Sequence, residues 1–206
     1  MRVLFVCTGN LCRSPLAERL TTAALRRGLG PGAMDDVHIA SAGLEARAGA
    51  EMDPRTRSAL ARLGGDASGF TSRPFAPGMA ESADLVLTMS RQQRTDVLRA
   101  VPRGLRKTFT LLEAADLVGC VELDSVAQLR PALPASVLAL RLDAARRHHR
   151  DAATDDIPDP IGRSSRVHAE VADQIAAAVK PLVAALLLHT GTASASTAGK
   201  DQRLSA

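Results

Sequence analysis

The sequence predicts an α/β protein: a four-stranded parallel sheet with helices on both faces, plus a helical insertion and a disordered C-terminal tail. Three observations carry this. The strand candidates are short, unbroken apolar runs, which suit strands buried on both faces. Helical periodicity follows them, opened by cap residues and closed by glycines. Strands and helices also alternate along the chain, which favours right-handed βαβ units.

Arg2 to Val6 forms the first run, and Cys7 to Ser14 leaves it as a loop containing Gly9 and Asn10. Both residues tolerate positive φ. Ser14-Pro15 reads as a cap followed by the first helical position, and Leu16, Leu20, Ala24 and Leu25 give that helix its apolar stripe before Gly28. Val37 to Ala40, running into Ser41-Ala42-Gly43, is the second strand. Asp53-Pro54 opens a helix that Gly64-Gly65 stops. Leu85 to Thr88 is the third strand, Arg91 to Ala100 a helix, and Thr108 to Leu112 a short fourth strand. Between 121 and 154 the pattern changes to a helical insertion, with a helix from Pro134-Ala135 to about Arg150. Arg163 to His189 is a long helix with Val167, Val171, Ile175, Val179, Leu182 and Leu186 on one face. Residues 1–189 are thus expected to form a single domain, and the small, polar stretch 190–206 a disordered tail.

Length and composition agree: 206 residues, 46% apolar and 23% charged, fit one globular domain. Lys and Arg number 26, of which only three are Lys, and the formal charge is +4. With four Phe and no Trp or Tyr, base stacking has little to build on, so no nucleic acid partner is expected. Three cysteines are too few for a secreted disulfide framework. Val3 to Val6 is too short for a signal-peptide core, and Ile175 to Leu188 is broken by Lys180-Pro181. The expectation is a reduced, cytoplasmic protein with no membrane contact, a monomer or weak dimer.

The chemistry is concentrated in Cys7-Thr8-Gly9-Asn10-Leu11-Cys12-Arg13-Ser14. A bare C-x5-R pattern is weak, but its placement strengthens it. A loop that leaves a parallel strand and enters a helix points successive N–H groups into one concavity, which suits a phosphate-sized anion. The helix dipole, the loop amides and Arg13 favour the thiolate of Cys7, the attacking form. Arg13 offers a planar fork for two phosphoryl oxygens. Ser14 can donate its hydroxyl to the sulfur and so help it leave. Displacing an alkoxide or phenoxide also needs a proton donor. Asp159 is the best candidate, since the prolines of Ile157-Pro158-Asp159-Pro160 restrict its backbone. Asp155 and Asp156 compete for the role.

These residues resemble the low-molecular-weight protein-tyrosine phosphatase family. The shared pieces are Val6 to Pro15, Ser41 to Gly43, Asp53 to Arg55, Ala83 to Met89 and Ile157 to Pro160, in the family's order. The resemblance implies a phosphotyrosine phosphatase I-like fold without metal or cofactor, acting on phosphotyrosine in proteins. Cys7 would form a cysteinyl-phosphate, with Asp159 as general acid and then as base. Arg13 and the amides of Thr8, Gly9, Asn10, Leu11, Cys12 and Arg13 would bind the phosphoryl group. Asn10 and Ser41 match loop-bracing positions, and Ser14 the hydrogen-bond donor to sulfur. Cys12 matches a cysteine that forms a reversible disulfide with the nucleophile.

Three departures bear on selectivity. Ile161 and Gly162 follow Asp159-Pro160 where the family has pocket aromatics. Leu44 to Ala48 lacks the usual Trp, and Phe70 replaces a loop-bracing His. Leu11, a branched apolar residue, leans toward phosphotyrosine, whereas relatives that act on phosphoarginine carry Thr there. Two alternatives are a thioredoxin-coupled arsenate reductase and a non-catalytic phosphate-binding module. The first generally needs a close pair of further cysteines, and only Cys120 lies outside the loop. The second needs neither nucleophile nor acid.

Overall fold

The computed structural model describes residues 1–29, 34–121, 135–149 and 155–190, with only the backbone for 188–190. Four parallel strands, β1 (Arg2–Cys7), β2 (His38–Gly43), β3 (Leu85–Thr88) and β4 (Thr108–Thr110), lie in the order β2-β1-β3-β4. In the central strand β1, every residue after Arg2 is buried, as an unbroken apolar run requires.

Alternate side chains of β1 serve two separate cores. Val3, Phe5 and Cys7 join the larger one with Leu85, Leu87 and Phe109. Against that face pack α1 (Arg13–Leu29), α2 (Pro54–Arg62), α5 (Leu111–Cys120), α6 (Ala135–Ala145) and α7 (Ser165–Thr190). Leu4 and Val6 point the other way, onto α3 (Pro77–Ser82) and Val97 of α4 (Arg91–Ala100). Each fully buried side chain of this kind contributes about 1.5–3 kcal/mol.

The insertion helix α6 places Leu138, Ala139 and Leu142 in the larger core. Residues 122–134 and 150–154 of the insertion, and the tail beyond Thr190, lie outside the described residues. The long α7 runs through Pro181 and meets α1 at Gly28, where a Cβ would stand 2.6 Å from the Leu187 methyls.

The insertion helix ends at Ala145, followed by a 3-10 turn to His148, rather than running to about Arg150, and α7 starts at Ser165 rather than Arg163. Two further differences bear on the site. The fourth strand ends at Thr110, not Leu112. Thr110 accepts from the Glu113 N–H (3.0 Å), Glu113 accepts from the Thr110 N–H (3.1 Å), and this capping box turns Leu111 and Leu112 into α5. The first helix starts at Arg13, with the Cys12 carbonyl accepting from Leu16 N–H, so Ser14 lies inside the first turn rather than capping it.

Candidate active site

Cys7 ends the central strand with its side chain buried, and the chain then curls round it. Asn10 makes the curl possible by adopting φ 53°, the only described non-glycine residue with positive φ. Its N–H points back at Cys7 Sγ (3.3 Å). Ser14, freed from capping, sets its Oγ 3.0 Å from the same sulfur. Gly43, paired with Cys7 across the sheet, lets the loop pass: a Cβ there would stand 2.6 Å from Thr8 O and 2.7 Å from Asn10 N.

Asn10 is the hub of the bracing. Its Nδ2 donates to Ser14 Oγ (3.0 Å) and Ser41 Oγ (2.9 Å), while its Oδ1 accepts from the Arg73 N–H (2.9 Å). Ser41 Oγ donates in turn to Glu18 (2.5 Å), whose pKa burial pushes up against the pull of Ser41, Arg19 and Arg73. Phe70 is buried in the core instead of bracing the loop, and the Arg73 main chain supplies a donor to it. On the other side Gln93 donates to Thr8 Oγ1 (3.0 Å) and accepts from Met89 N–H (3.0 Å). Glu18, Arg73 and Gln93 were not singled out from the sequence. Only Gln93 carried a local signal: it is the third residue after Ser90, which caps α4 through the Gln93 N–H.

The acid loop closes over this cradle from the far end of the chain. Ile157 N–H donates to Met89 O (2.8 Å), fixing the loop to the end of β3. Arg13 then donates to Ile157 O (3.0 Å) and to Asp159 Oδ2 (2.5 Å), while Asp159 Oδ1 accepts from Ile161 N–H (3.2 Å). The other two acids are committed elsewhere. Asp155 is buried against His149, whose Nε2 lies 3.0 Å away and whose Nδ1 meets Asp116 (2.9 Å). Asp156 accepts from the Arg91 N–H (2.8 Å).

The cavity above the sulfur holds about 130 Å³ and is lined by Cys7, Thr8, Gly9, Leu11, Cys12, Arg13, Asp159 and Ile161. Its side walls are therefore aliphatic. Two larger clefts, about 500 and 660 Å³, contain none of the candidate residues. Cys12 is a free thiol like Cys7. Burial, with Asp53, Asp159 and Cys7 adding to it and Thr56 opposing, pushes the Cys12 thiol up to about 12.

Residues 2–119 match the family described as low molecular weight phosphotyrosine protein phosphatase. The chain belongs to this family. Among relatives of the low-molecular-weight phosphatases, it is 39% identical to the protein-arginine-phosphatase of Bacillus subtilis over 114 residues, 55% of this chain and 71% of that one. It is 32% identical to the low molecular weight protein-tyrosine-phosphatase Ptp of Acinetobacter johnsonii over 109 residues, 53% and 70% of the two chains. A solution structure of a low molecular weight protein tyrosine phosphatase from Bacillus subtilis superposes with TM-score 0.63 at 28% identity, covering 90% of this chain and 97% of that one. The arginine phosphatase YwlE with a phosphorylated active-site serine superposes with TM-score 0.61 at 25% identity over both whole chains. Among the described residues, no helix is long and apolar enough to cross a membrane.

Proposed function

We propose that this phosphatase hydrolyses phosphotyrosine in proteins through a cysteinyl-phosphate, with Cys7 as nucleophile, Arg13 as phosphate clamp and Asp159 as general acid and base. One observation carries the reading: Cys7 Sγ lies at the floor of a loop whose rim holds the Arg13–Asp159 pair, in a cavity the size of a phosphoryl group. The phosphoryl oxygens are taken up by the N–H groups of Thr8 to Arg13 and by Arg13, whose buried Nε has no partner among the described residues. Cys7 attacks phosphorus, the P–O bond breaks, and Asp159 gives its proton to the departing oxygen. Asp159 then takes a proton from water as that water attacks phosphorus, and Cys7 leaves with its charge met by the Ser14 hydroxyl and the Asn10 N–H.

Leu11 and Ile161 favour a flat, apolar leaving group between them. A second reading, phosphoarginine, is favoured by the absence of pocket aromatics and by the likeness to the B. subtilis protein-arginine-phosphatase. Rates on matched phosphotyrosine, phosphoarginine and phosphoserine peptides test the assignment. Phosphotyrosine is expected to lead by at least tenfold in kcat/KM, and a phosphoarginine lead overturns it. We further propose that the insertion orients the acid loop, through the His149–Asp155 contact, within one domain spanning 1–189.

A further inference from the structure

Beside the phosphate loop, three metal-binding side chains from three separate elements converge. Cys12 Sγ, an Asp53 carboxylate oxygen and a His168 ring nitrogen all lie within 4.8 Å of one another. Cys12 comes from the loop, Asp53 caps α2, and His168 lies in the first turn of α7. Cys12 and His168 are buried and Asp53 is half-buried, so this is not a chance meeting of solvated surface groups.

We propose that Cys12, Asp53 and His168 form a binding site for a thiophilic divalent cation, zinc in the first instance.

The donor set fits: thiolate, imidazole and carboxylate are the three ligand types zinc takes, at about 2.0–2.3 Å each. Tetrahedral bonds of that length put ligand atoms roughly 3.3–3.8 Å apart, and His168 Nδ1 lies 3.5 Å from Asp53 Oδ1. The same nitrogen lies 2.8 Å from Thr56 Oγ1, a hydrogen bond that the metal would replace. The thiol proton of Cys12 is released to solvent as the S–metal bond forms, and no electron is transferred. The ion would hold Cys12 away from Cys7 chemistry and is separate from the hydrolytic steps.

Cobalt(II) titration of the reduced full-length protein tests this independently of turnover. One equivalent is expected to give a thiolate-to-cobalt charge-transfer band and intense tetrahedral visible bands, both bleached by zinc. The Cys7→Ser protein should keep the bands and Cys12→Ser should lose them. His168→Gln and Asp53→Asn, the latter able to keep the helix cap, should each weaken binding at least tenfold, with folding checked by circular dichroism. Absence of the bands in the unaltered protein overturns the site. So does their loss in Cys7→Ser together with survival in His168→Gln and Asp53→Asn, which would assign the metal to the nucleophile.

Discussion

Arg13 Nη2 and Asp159 Oδ2 lie 2.5 Å apart, so the proposed phosphate clamp and the proposed proton donor hold one another. Arg13 is almost fully buried, whereas the Asp159 side chain is 43% exposed. The guanidinium is therefore the fixed partner and the carboxylate the one free to turn toward a leaving oxygen.

Removing that carboxylate should expose its role through the leaving group. Asp159→Asn is expected to lower kcat/KM for phenyl phosphate by about 10²–10⁴-fold, but for p-nitrophenyl phosphate much less, because nitrophenolate leaves unaided. The kcat/KM values of the two esters, which report only the phosphorylation half, check this. Equal losses would place the proton donor elsewhere.

Ser14 is expected to act on the second half of the reaction. Ser14→Ala leaves the sulfur, among the described residues, with the Asn10 N–H. Losing one hydrogen bond to a departing anion should slow dephosphorylation roughly ten- to hundredfold. Rapid mixing with p-nitrophenyl phosphate should then show a burst of one equivalent of phenolate followed by a slow phase.

Gly43 gives the loop its clearance. In Gly43→Ala the new methyl would press on Thr8 O and Asn10 N, both backbone atoms with little room to give. A loss of about 1–3 kcal/mol is expected in denaturant unfolding. Inorganic phosphate should also inhibit more weakly, because the same push spreads the ring of amides.

His149 predicts a pH dependence. Partial burial disfavours its charged form, but the carboxylates of Asp116 and Asp155 outweigh that and raise its pKa. Asp155 itself is pushed up by burial, with His149 pulling it back. A histidine raised on folding contributes fully below its unfolded value near 6.5, and the contribution fades as pH rises through the higher folded value. His149→Gln should therefore cost about 1 kcal/mol near pH 6 and clearly less near pH 9. Unfolding free energies of both proteins across that range give the measurement. A pH-independent difference would mean the ring acts by packing alone.

Much of this architecture was legible because the strands are buried on both faces, so Arg2 to Val6 and Leu85 to Thr88 stand out without alternation. The fourth strand overran because Thr-Phe-Thr-Leu-Leu is a continuous β-like run. The signal that divides it is the Thr110–Glu113 capping box, in which the helix start outcompetes strand propensity. The six-residue α3 was too short to leave a period. At the site, the nucleophile and clamp were readable because they sit within one local loop. The flanking prolines singled out Asp159 over Asp155 and Asp156, but the contacts that commit those two elsewhere, with His149 and Arg91, and the pairing of Asp159 with Arg13 are spatial and not local. Arg73 escaped notice for a deeper reason: it braces the loop through its main-chain N–H, which any residue but proline offers.

The cradle and the acid come from opposite ends of the chain, Cys7 to Ser14 in one case and Ile157 to Asp159 in the other. During synthesis the loop emerges first, and Asp159 only after all four strands. A chain cut before Asp159 lacks the proposed proton donor and also α7, which supplies Val171, Ile175 and Val179 to the larger core. Folding of that core and assembly of the proposed site therefore wait on the same stretch of chain.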